Sequence, residues 1–303
     1  MGIKIHNFIN LNSKKFSVKF FNQRLPFIYI LFNFFYRTLI VNLKSKDPEI
    51  LNFHKSGFTK IDISLKNEIN EFKDRFFLKN HEEKNKKKIF FDLDNNDKKK
   101  FLTKIKKKLS PFLKKLENYY GCDCKISDVV MWRTSNFENK HDFKEKEHFA
   151  EHFHQDSYLM TYSKIHINLM DVTEDDGPLE IIPREDRSAF VKSFNYKDRH
   201  NYNLFGDNNL IKKNIGKIGD CIFFSSPQIY HRAGIPKNYR DMCQIILISL
   251  PKKYSEELDQ ISDVKLFDNN QENFQNFTKP YSIVKVIKLF FIYLKHKLNG
   301  QDC

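Results

Sequence analysis

The amino-acid sequence predicts a mainly β domain, a sandwich or barrel, with helices packed around it. From Lys125 to Pro251, short apolar runs alternate with turn signals and give seven or eight candidate strands, as in sandwiches and barrels. Before Gly121 the chain carries longer apolar and Lys-rich stretches that indicate helices. We therefore expect a mainly helical region at 1–120, a β core at 121–253, and a polar loop with an apolar-basic helix at 254–303.

The individual elements follow from local signals. Ser110-Pro111 is typical of a helix start and Gly121 of a helix end, which predicts a helix of about ten residues. The polar stretch 184–213 predicts a loop with a short helix. Apolar runs bounded by turns predict strands at 126–133, 151–158, 165–172, 179–182, 221–224, 230–233 and 244–250.

Composition excludes several classes of protein. With 40% hydrophobic and 30% charged residues in 303, the chain is neither disordered nor collagen-like. The net charge of +14 is compatible with nucleic acid or an anionic membrane surface as a partner. We do not expect nucleic-acid binding, because no interleaved stacking motif or helix-turn-helix is present. The alternative is a compositional bias toward Lys, Asn, Ile and Phe, typical of AT-rich coding DNA.

Cysteine usage and the apolar segments bear on location. An odd number of cysteines, five, predicts reduced thiols and a cytoplasmic location. We expect no secretory signal and no membrane-spanning helix, because no apolar run is long enough or followed by a cleavage site. The apolar-basic segments 26–41 and 281–298 either pack on the core, form a dimer interface, or rest on the inner face of an anionic membrane. The oligomeric state stays open.

His154 and Asp156 form the sharpest local feature. Side chains two apart on a strand project to the same face, so this imidazole and carboxylate would lie side by side. The pair supplies two of the three ligands of a two-His-one-carboxylate triad, which leaves positions open on ferrous iron. His231, on a later predicted strand, is the candidate third ligand. His152 shares the predicted face of His154 and is the alternative to it.

Arg240 opens the last predicted strand and can clamp a carboxylate, because its guanidinium binds carboxylates bidentately and stays charged. Each candidate also has a structural interpretation: an edge-strand pair for His154 and Asp156, a core histidine for His231, a surface ion pair for Arg240. Other residues are open to both interpretations. We expect Trp132 in the core, Arg133 as a possible contact to a substrate anion, and His166, Asn168 and Tyr158 as pocket-lining or strand-filling residues.

Several motifs together carry a resemblance to a known family. They are His154-Gln155-Asp156, Asp176-Gly177-Pro178-Leu179-Glu180-Ile181-Ile182-Pro183, Gly219-Asp220 with its apolar strand, His231-Arg232-Ala233-Gly234, and Arg240. The stretch from about Val129 to Pro251 resembles the phytanoyl-CoA dioxygenase-like family of Fe(II)/2-oxoglutarate-dependent oxygenases. The resemblance implies a double-stranded β-helix, a jelly-roll or cupin-like core. It also implies iron held by His154, Asp156 and His231, with Arg240 binding the distal carboxylate of 2-oxoglutarate.

The function implied by this resemblance is a dioxygenase that hydroxylates a small-molecule or lipid-like substrate. It would use Fe(II), 2-oxoglutarate and O2, form succinate and CO2, and need no catalytic residues beyond the metal ligands. The alternative is a catalytically silent β-barrel used for binding or scaffolding. Ala233, where many family members carry Ser or Thr, and the short spacing between His231 and Arg240 keep that alternative open.

Overall fold

The structure, a computed structural model, describes residues 45–78, 88–121, 123–136, 150–156 and 161–250. Over these ranges the chain forms antiparallel sheets and a few helices. The helices are α1 Pro48–Ser56, α2 Lys66–Phe72, α3 Asn95–Tyr120 and α4 Arg187–Ser193. The strands are β1 Phe58–Ile61, β2 Phe77–Leu78, β3 Lys88–Asp92, β4 Asp123–Ser135, β5 Tyr162–Asn168, β6 Leu179–Ile182, β7 Lys212–Lys213, β8 Cys221–Phe224, β9 Tyr230–Ala233 and β10 Tyr239–Leu250.

The larger sheet contains seven strands in the order β1-β8-β5-β10-β4-β3-β2. Strand β10 lies at its centre and pairs antiparallel with both β4 and β5. Met242 of β10 stands opposite Trp132 on one side and Asn168 on the other. Because side chains alternate between the two faces of a strand, this register decides which residues of the three strands share a face.

The smaller sheet contains three strands in the order β7-β6-β9. Leu179 of β6 stands opposite Ala233 of β9, and Ile182 stands opposite Tyr230. His154 joins β9 through an isolated antiparallel bridge to His231. The segment that carries His154 and Asp156 therefore lies against the smaller sheet without forming a strand of its own.

The two faces of the larger sheet have different partners. On β5, Ile165 and Ile167 are fully buried in the core that also contains residues of α1 and α3. His166 lies between them in sequence and so projects to the opposite face. There its ring contacts Phe224 at 5.0 Å between centroids, and Phe224 packs with apolar residues of β6 such as Ile181. The inner face of the larger sheet thus faces the smaller sheet.

The outer face is covered by helices through an aromatic cluster. Phe223 of β8 is completely buried, with its ring centroid 4.6 Å from that of Phe53 on α1 and 5.1 Å from that of Phe112 on α3. Aromatic rings bury large apolar areas and gain further from tilted and edge-to-face contacts. This cluster fixes α1 and α3 on the sheet.

Helix α3 is longer than the sequence signals indicated. Asp94 caps it by accepting hydrogen bonds from backbone N–H groups of the first turn, and Gly121 ends it in the left-handed conformation at φ 63°. The predicted end at Gly121 is confirmed, but the predicted start at Ser110-Pro111 is wrong, because Pro111 lies inside the helix. Pro111 is exposed while Phe112 is buried, so packing on the sheet outweighs the lost backbone hydrogen bond.

Most strand predictions hold. Strands at 179–182, 221–224 and 230–233 are confirmed, and those at 126–133 and 244–250 lie inside the longer β4 and β10. The strand expected at 165–172 instead spans Tyr162–Asn168. Short helical turns and α4 occupy the 184–213 stretch, as expected.

The strand predicted at 151–158 is wrong over its described part, 151–156, which contains no continuous strand. The backbone N–H of His154 donates to His231 O, whereas that of Asp156 donates to Ser226 O. Since these two acceptors belong to different parts of the chain, the segment cannot form one regular ladder. In the described part before Gly121, strands accompany the helices: β1 pairs with β8 and β3 pairs with β4.

Some expectations fall on residues that the structure does not describe. Segments 26–41 and 281–298, Tyr158 and the whole of 254–303 lie outside the described ranges. Within those ranges no helix is both long and apolar enough to cross a membrane. The described cysteines Cys124, Cys221 and Cys243 are buried free thiols.

The aromatic cluster gives a test of the fold. Replacing Phe223 with Ala should lower the free energy of unfolding by about 3–5 kcal/mol, because a fully buried ring leaves a cavity. Urea denaturation measures the change. The matched control is Phe205→Ala, since Phe205 is 91% exposed and its removal should shift stability by no more than about 0.5 kcal/mol. Similar small effects for both variants would contradict the packing described here.

Candidate metal centre

Two backbone hydrogen bonds bring the predicted ligands together. The N–H of His154 donates to His231 O and the N–H of His231 donates to His154 O, each at 3.0 Å. The two imidazole rings consequently lie 4.4 Å apart between centroids. Asp156, two residues further along, is held by the 3.1 Å hydrogen bond from its N–H to Ser226 O.

The three side chains converge on one small volume. Nε2 of His154 lies 3.6 Å from Oδ1 of Asp156, and Nε2 of His231 lies 3.9 Å from Oδ2. One donor atom from each residue falls within 4.8 Å of the other two. The histidines are buried and the Asp156 side chain is 14% exposed. Among the described residues this is the group of three His, Cys, Asp or Glu side chains that could hold a metal ion.

Both imidazoles are kept neutral, which is the form that binds metals. Burial lowers the pKa of His154 to about 4, against a smaller opposing effect from Asp156. Burial and the neighbouring His154 likewise hold the pKa of His231 well below its usual value. Nδ1 of His154 lies 2.8 Å from the carbonyl oxygen of His152 and donates a hydrogen bond to it. The proton of the neutral ring is therefore on Nδ1, and the lone pair of Nε2 is directed at the cluster.

Asp156 stays ionised despite its burial. Burial by itself raises the pKa of this carboxyl, but the positive charge of Lys164 holds it far below the usual range. Nζ of Lys164 lies 2.6 Å from Asp156 Oδ2. The cluster therefore offers two neutral nitrogen donors and one anionic oxygen donor.

This donor set fits ferrous iron. Two imidazoles and one carboxylate on one side of a metal make the facial triad that leaves coordination positions open. Structural zinc sites use four protein ligands, which this cluster does not supply within the described residues. The residues present thus agree with the iron and 2-oxoglutarate expected from the sequence.

Arg240 lies near the start of β10, opposite Thr134 of β4, and is only 3% exposed. Its Nε and Nη1 have no hydrogen-bond partner among the described residues. Burial lowers the pKa of its guanidinium to about 10, although the charges of Asp176 and Glu180 act in the opposite direction. A buried cation with unsatisfied donors is costly unless an anion binds to it.

Further cations on the inner face were missed by the sequence analysis. Lys88 of β3 lies in the pairing register opposite Thr134, and its Nζ is 4.1 Å from the ring centroid of Trp132. Burial, then the charges of Lys164 and Arg240, lower the pKa of Lys88 to about 7. Alternation along β5 could have shown that Lys164 shares a face with His166. Lys88 belongs to no recognisable motif, so its position on this face is known only from the pairing of β3 with β4.

The remaining candidates are placed as follows. His152 is not in the metal-binding group; its Nδ1 lies 3.5 Å from the hydroxyl of Tyr202. Arg133 forms a bidentate ion pair with Asp241 at 2.7 and 2.8 Å, so it is engaged away from the cluster. Trp132 is buried, as expected, on the inner face beside His166.

His166 lines the space between the metal-binding group and Arg240. Its Nε2 is hydrogen-bonded to Gln244 Oε1 at 2.8 Å, and its Nδ1 has no partner among the described residues. Burial lowers the pKa of His166 to about 3. The hydrogen bond with Gln244 opposes this shift, whereas the nearby charges of Lys164, Arg240 and Lys88 lower the pKa further. The ring is therefore neutral at physiological pH.

Comparison with known proteins yields structures only. No family model and no curated protein matches the sequence. HygX from Streptomyces hygroscopicus, with nickel and 2-oxoglutarate bound, is similar over 69% of this chain and 88% of its own, at 10% identity and a TM-score of 0.45. EctD from S. alaskensis, with 2-oxoglutarate and 5-hydroxyectoine, is similar over 70% and 80%, at 12% identity and a TM-score of 0.46.

A third similar structure is the epimerase SnoN from nogalamycin biosynthesis, described as non-heme and α-ketoglutarate-dependent. It covers 66% of this chain and 79% of its own, at 12% identity and a TM-score of 0.42. Iron- and 2-oxoglutarate-dependent enzymes thus recur among the similar structures.

The buried neutral His166 predicts a pH dependence of stability. An unfolded chain protonates this residue near pH 6.5, whereas the folded chain does so only near pH 3. The folded state therefore binds fewer protons between these values, and its stability should fall as the pH drops below 6.5. Between pH 6.5 and 5 the loss due to His166 should reach about 2 kcal/mol.

Urea denaturation of metal-free wild type and His166→Gln at pH 7.5 and 5.0 measures this effect. The variant should lose less stability than wild type on acidification, while retaining a decline from His154, which titrates with the same sign. An equal decline in both proteins would contradict a neutral buried His166.

Proposed function

We propose that this protein is an Fe(II)- and 2-oxoglutarate-dependent dioxygenase that hydroxylates a small-molecule or lipid-like substrate. The observation that carries the proposal is the convergence of His154, Asp156 and His231, with both imidazoles neutral and the carboxylate ionised. Two nitrogens and one oxygen suit ferrous iron with positions left for other ligands. Since the triad itself holds the iron, no further catalytic side chain is invoked.

The strand order supports a double-stranded β-helix, the jelly-roll core expected from the sequence. Counted from β4 and including the His154 segment as the second member, the core has eight extended segments. The first, eighth, third and sixth segments, which are β4, β10, β5 and β8, are neighbours in the larger sheet. The second, seventh, fourth and fifth, which are the His154 segment, β9, β6 and β7, are neighbours in the smaller sheet, where the His154 segment is joined by its bridge to His231. Apart from β6 and β7, which pair with each other in the smaller sheet, successive segments thus alternate between the two sheets, as in jelly rolls.

Arg240 is proposed to bind the distal carboxylate of 2-oxoglutarate. A buried guanidinium with two donor nitrogens, Nε and Nη1, that lack partners among the described residues can donate hydrogen bonds to a carboxylate and balance its charge. Lys88, whose charge acts on Arg240 and His166, increases the positive potential of the same space. A dianionic co-substrate would balance these charges and the charge of the metal.

The residues of the chain have separate tasks in the proposed reaction. His154, Asp156 and His231 hold the metal, and the backbone bridge between the histidines keeps their nitrogens in place. Arg240 orients the co-substrate from the opposite end of the space. Phe224, Trp132 and the neutral His166 line the wall between and exclude water from it. When bound, iron and 2-oxoglutarate supply the oxidising chemistry with O2, and decarboxylation to succinate accompanies hydroxylation of the substrate.

The finer assignments are part of the same proposal. The motifs that resemble the phytanoyl-CoA dioxygenase-like family support membership in it, and the odd number of cysteines supports a cytoplasmic location. Segments 26–41 and 281–298 either pack on the core, form a dimer interface, or contact the inner face of the membrane peripherally. Ala233 stands on β9 opposite Leu179 and offers the co-substrate no hydroxyl. Arg240 and Lys88 would then carry more of the co-substrate binding than in proteins with Ser or Thr at that position.

An anaerobic titration tests the proposal. Adding Fe(II) and then 2-oxoglutarate to metal-free protein should produce the visible charge-transfer band of a chelated complex. His154→Ala should abolish the band because a ligand is lost. Arg240→Ala should weaken 2-oxoglutarate binding by at least tenfold, about 1.4 kcal/mol, since hydrogen bonds between charged groups contribute about 1.5–3 kcal/mol.

The matched control is Arg133→Ala. Arg133 is a partly buried arginine on the neighbouring strand, but Asp241 already neutralises it. This variant should bind 2-oxoglutarate as wild type does. If wild type produces no band while still binding Fe(II), the co-substrate assignment is wrong and the chain is a binding or scaffold protein of the same fold.

A further inference from the structure

Lys164 lies in the middle of β5, where both neighbouring strands restrain it. Its register partners are Ile246 of β10 and Phe224 of β8. The side chain is 13% exposed and projects to the inner face, towards the metal-binding group. Lysines are rarely buried unless they are paired, so the contact that Lys164 makes is the reason for its position.

That contact treats the two oxygens of Asp156 differently. Nζ of Lys164 lies 2.6 Å from Oδ2, which makes a close ion pair. Oδ1 is 3.6 Å from Nε2 of His154. The backbone N–H of Asp156 is hydrogen-bonded to Ser226 O, which restrains the main chain at this residue. The position of the carboxylate is therefore set mainly by its side-chain torsions. Oδ2 is thus paired with Lys164, although it also lies 3.9 Å from Nε2 of His231, and Oδ1 lies on the side of His154 with no lysine beside it.

The number of oxygens that Asp156 offers decides how many positions stay open on a metal. Carboxylates bind metals through one oxygen or through both. In a six-coordinate ion, two imidazoles and one oxygen leave three positions open, whereas two oxygens leave two. A co-substrate that chelates through two atoms and an O2 molecule together need three.

We propose that Lys164 is a positioning residue that retains Oδ2 of Asp156 and so keeps this carboxylate monodentate, preserving the third open position. The inference rests on the proposed function, since it assigns a role towards the same metal. This positioning role differs from neutralising the charge of Asp156. If Lys164 only neutralised that charge, its removal would destabilise the protein but leave the number of coordinating oxygens unchanged.

Cobalt(II) is a suitable probe, because its visible spectrum reports coordination number without turnover. Lys164→Met should bind Co(II) within threefold of wild type or more tightly, because a positive charge beside the metal is removed. Its Co(II) spectrum should differ from that of wild type before any co-substrate is added. Binding of 2-oxoglutarate to the Co(II)-loaded variant should be at least tenfold weaker, because a bidentate Asp156 occupies one of the positions required.

Two variants serve as controls. Lys164→Arg keeps a positively charged donor and should restore the wild-type spectrum and 2-oxoglutarate affinity. Lys98→Met removes another buried lysine, which is paired with Asp92 at 3.0 Å. It should lower the melting temperature but leave both affinities and the Co(II) spectrum unchanged. If Lys164→Met does not fold, Lys164→Leu, which also lacks a donor, replaces it with the same expectation.

The outcomes separate the two proposals. A folded Lys164→Met with wild-type spectrum and 2-oxoglutarate affinity overturns the role of Lys164 and leaves the proposed function intact. Loss of Co(II) binding by that variant, at a native melting temperature, also overturns it, because Lys164 would then support ligation itself. Failure of wild type to bind Co(II) overturns the proposed function, and the inference with it.

Discussion

The reciprocal pair of backbone hydrogen bonds between His154 and His231 is the constraint on which the candidate site depends. Each bond is 3.0 Å long, and together they fix two distant parts of the chain side by side. Strand β9 is itself held by pairing with β6, so His231 has a defined position before any ligand binds. The position of Asp156, two residues after His154, is fixed by the hydrogen bond from its own N–H to Ser226 O. A metal would therefore meet donors whose backbones are already in place, which lowers the entropic cost of assembling the site.

Burial sets the electrostatics of this region. The inner face of the larger sheet carries Arg240, which is buried, and Lys88 and Lys164, which are partly buried. The same burial keeps His154, His166 and His231 neutral. Because buried cations are stable only near anions, the arrangement favours anionic ligands in the space between the sheets. The neutral imidazoles and the ionised Asp156 are in turn the protonation states that metal binding requires.

Local patterns in the sequence were sufficient for part of this architecture. The short apolar runs at 179–182, 221–224 and 230–233 became strands because their flanking turn residues define both ends. The helix start predicted at Ser110-Pro111 was wrong, because buried contacts such as that of Phe112 with Phe223 stabilise a helix that runs through the proline. The strand predicted at 151–158 was wrong over its described part because the partners of its N–H groups lie on two different segments, which no local pattern contains.

The sequence by itself determined which residue types were available for chemistry: a His-x-Asp motif, a later His231, and Arg240 at the start of an apolar strand. Spacing and alternation are local properties, so they can be recognised without a structure. Only the tertiary structure decided that Lys164 contacts Asp156, that Lys88 joins Arg240 on one face, and that Arg133 pairs with Asp241 instead of facing a ligand. These relations depend on strand order and register between segments far apart in the chain, and on burial, which is a property of the packed sheets together.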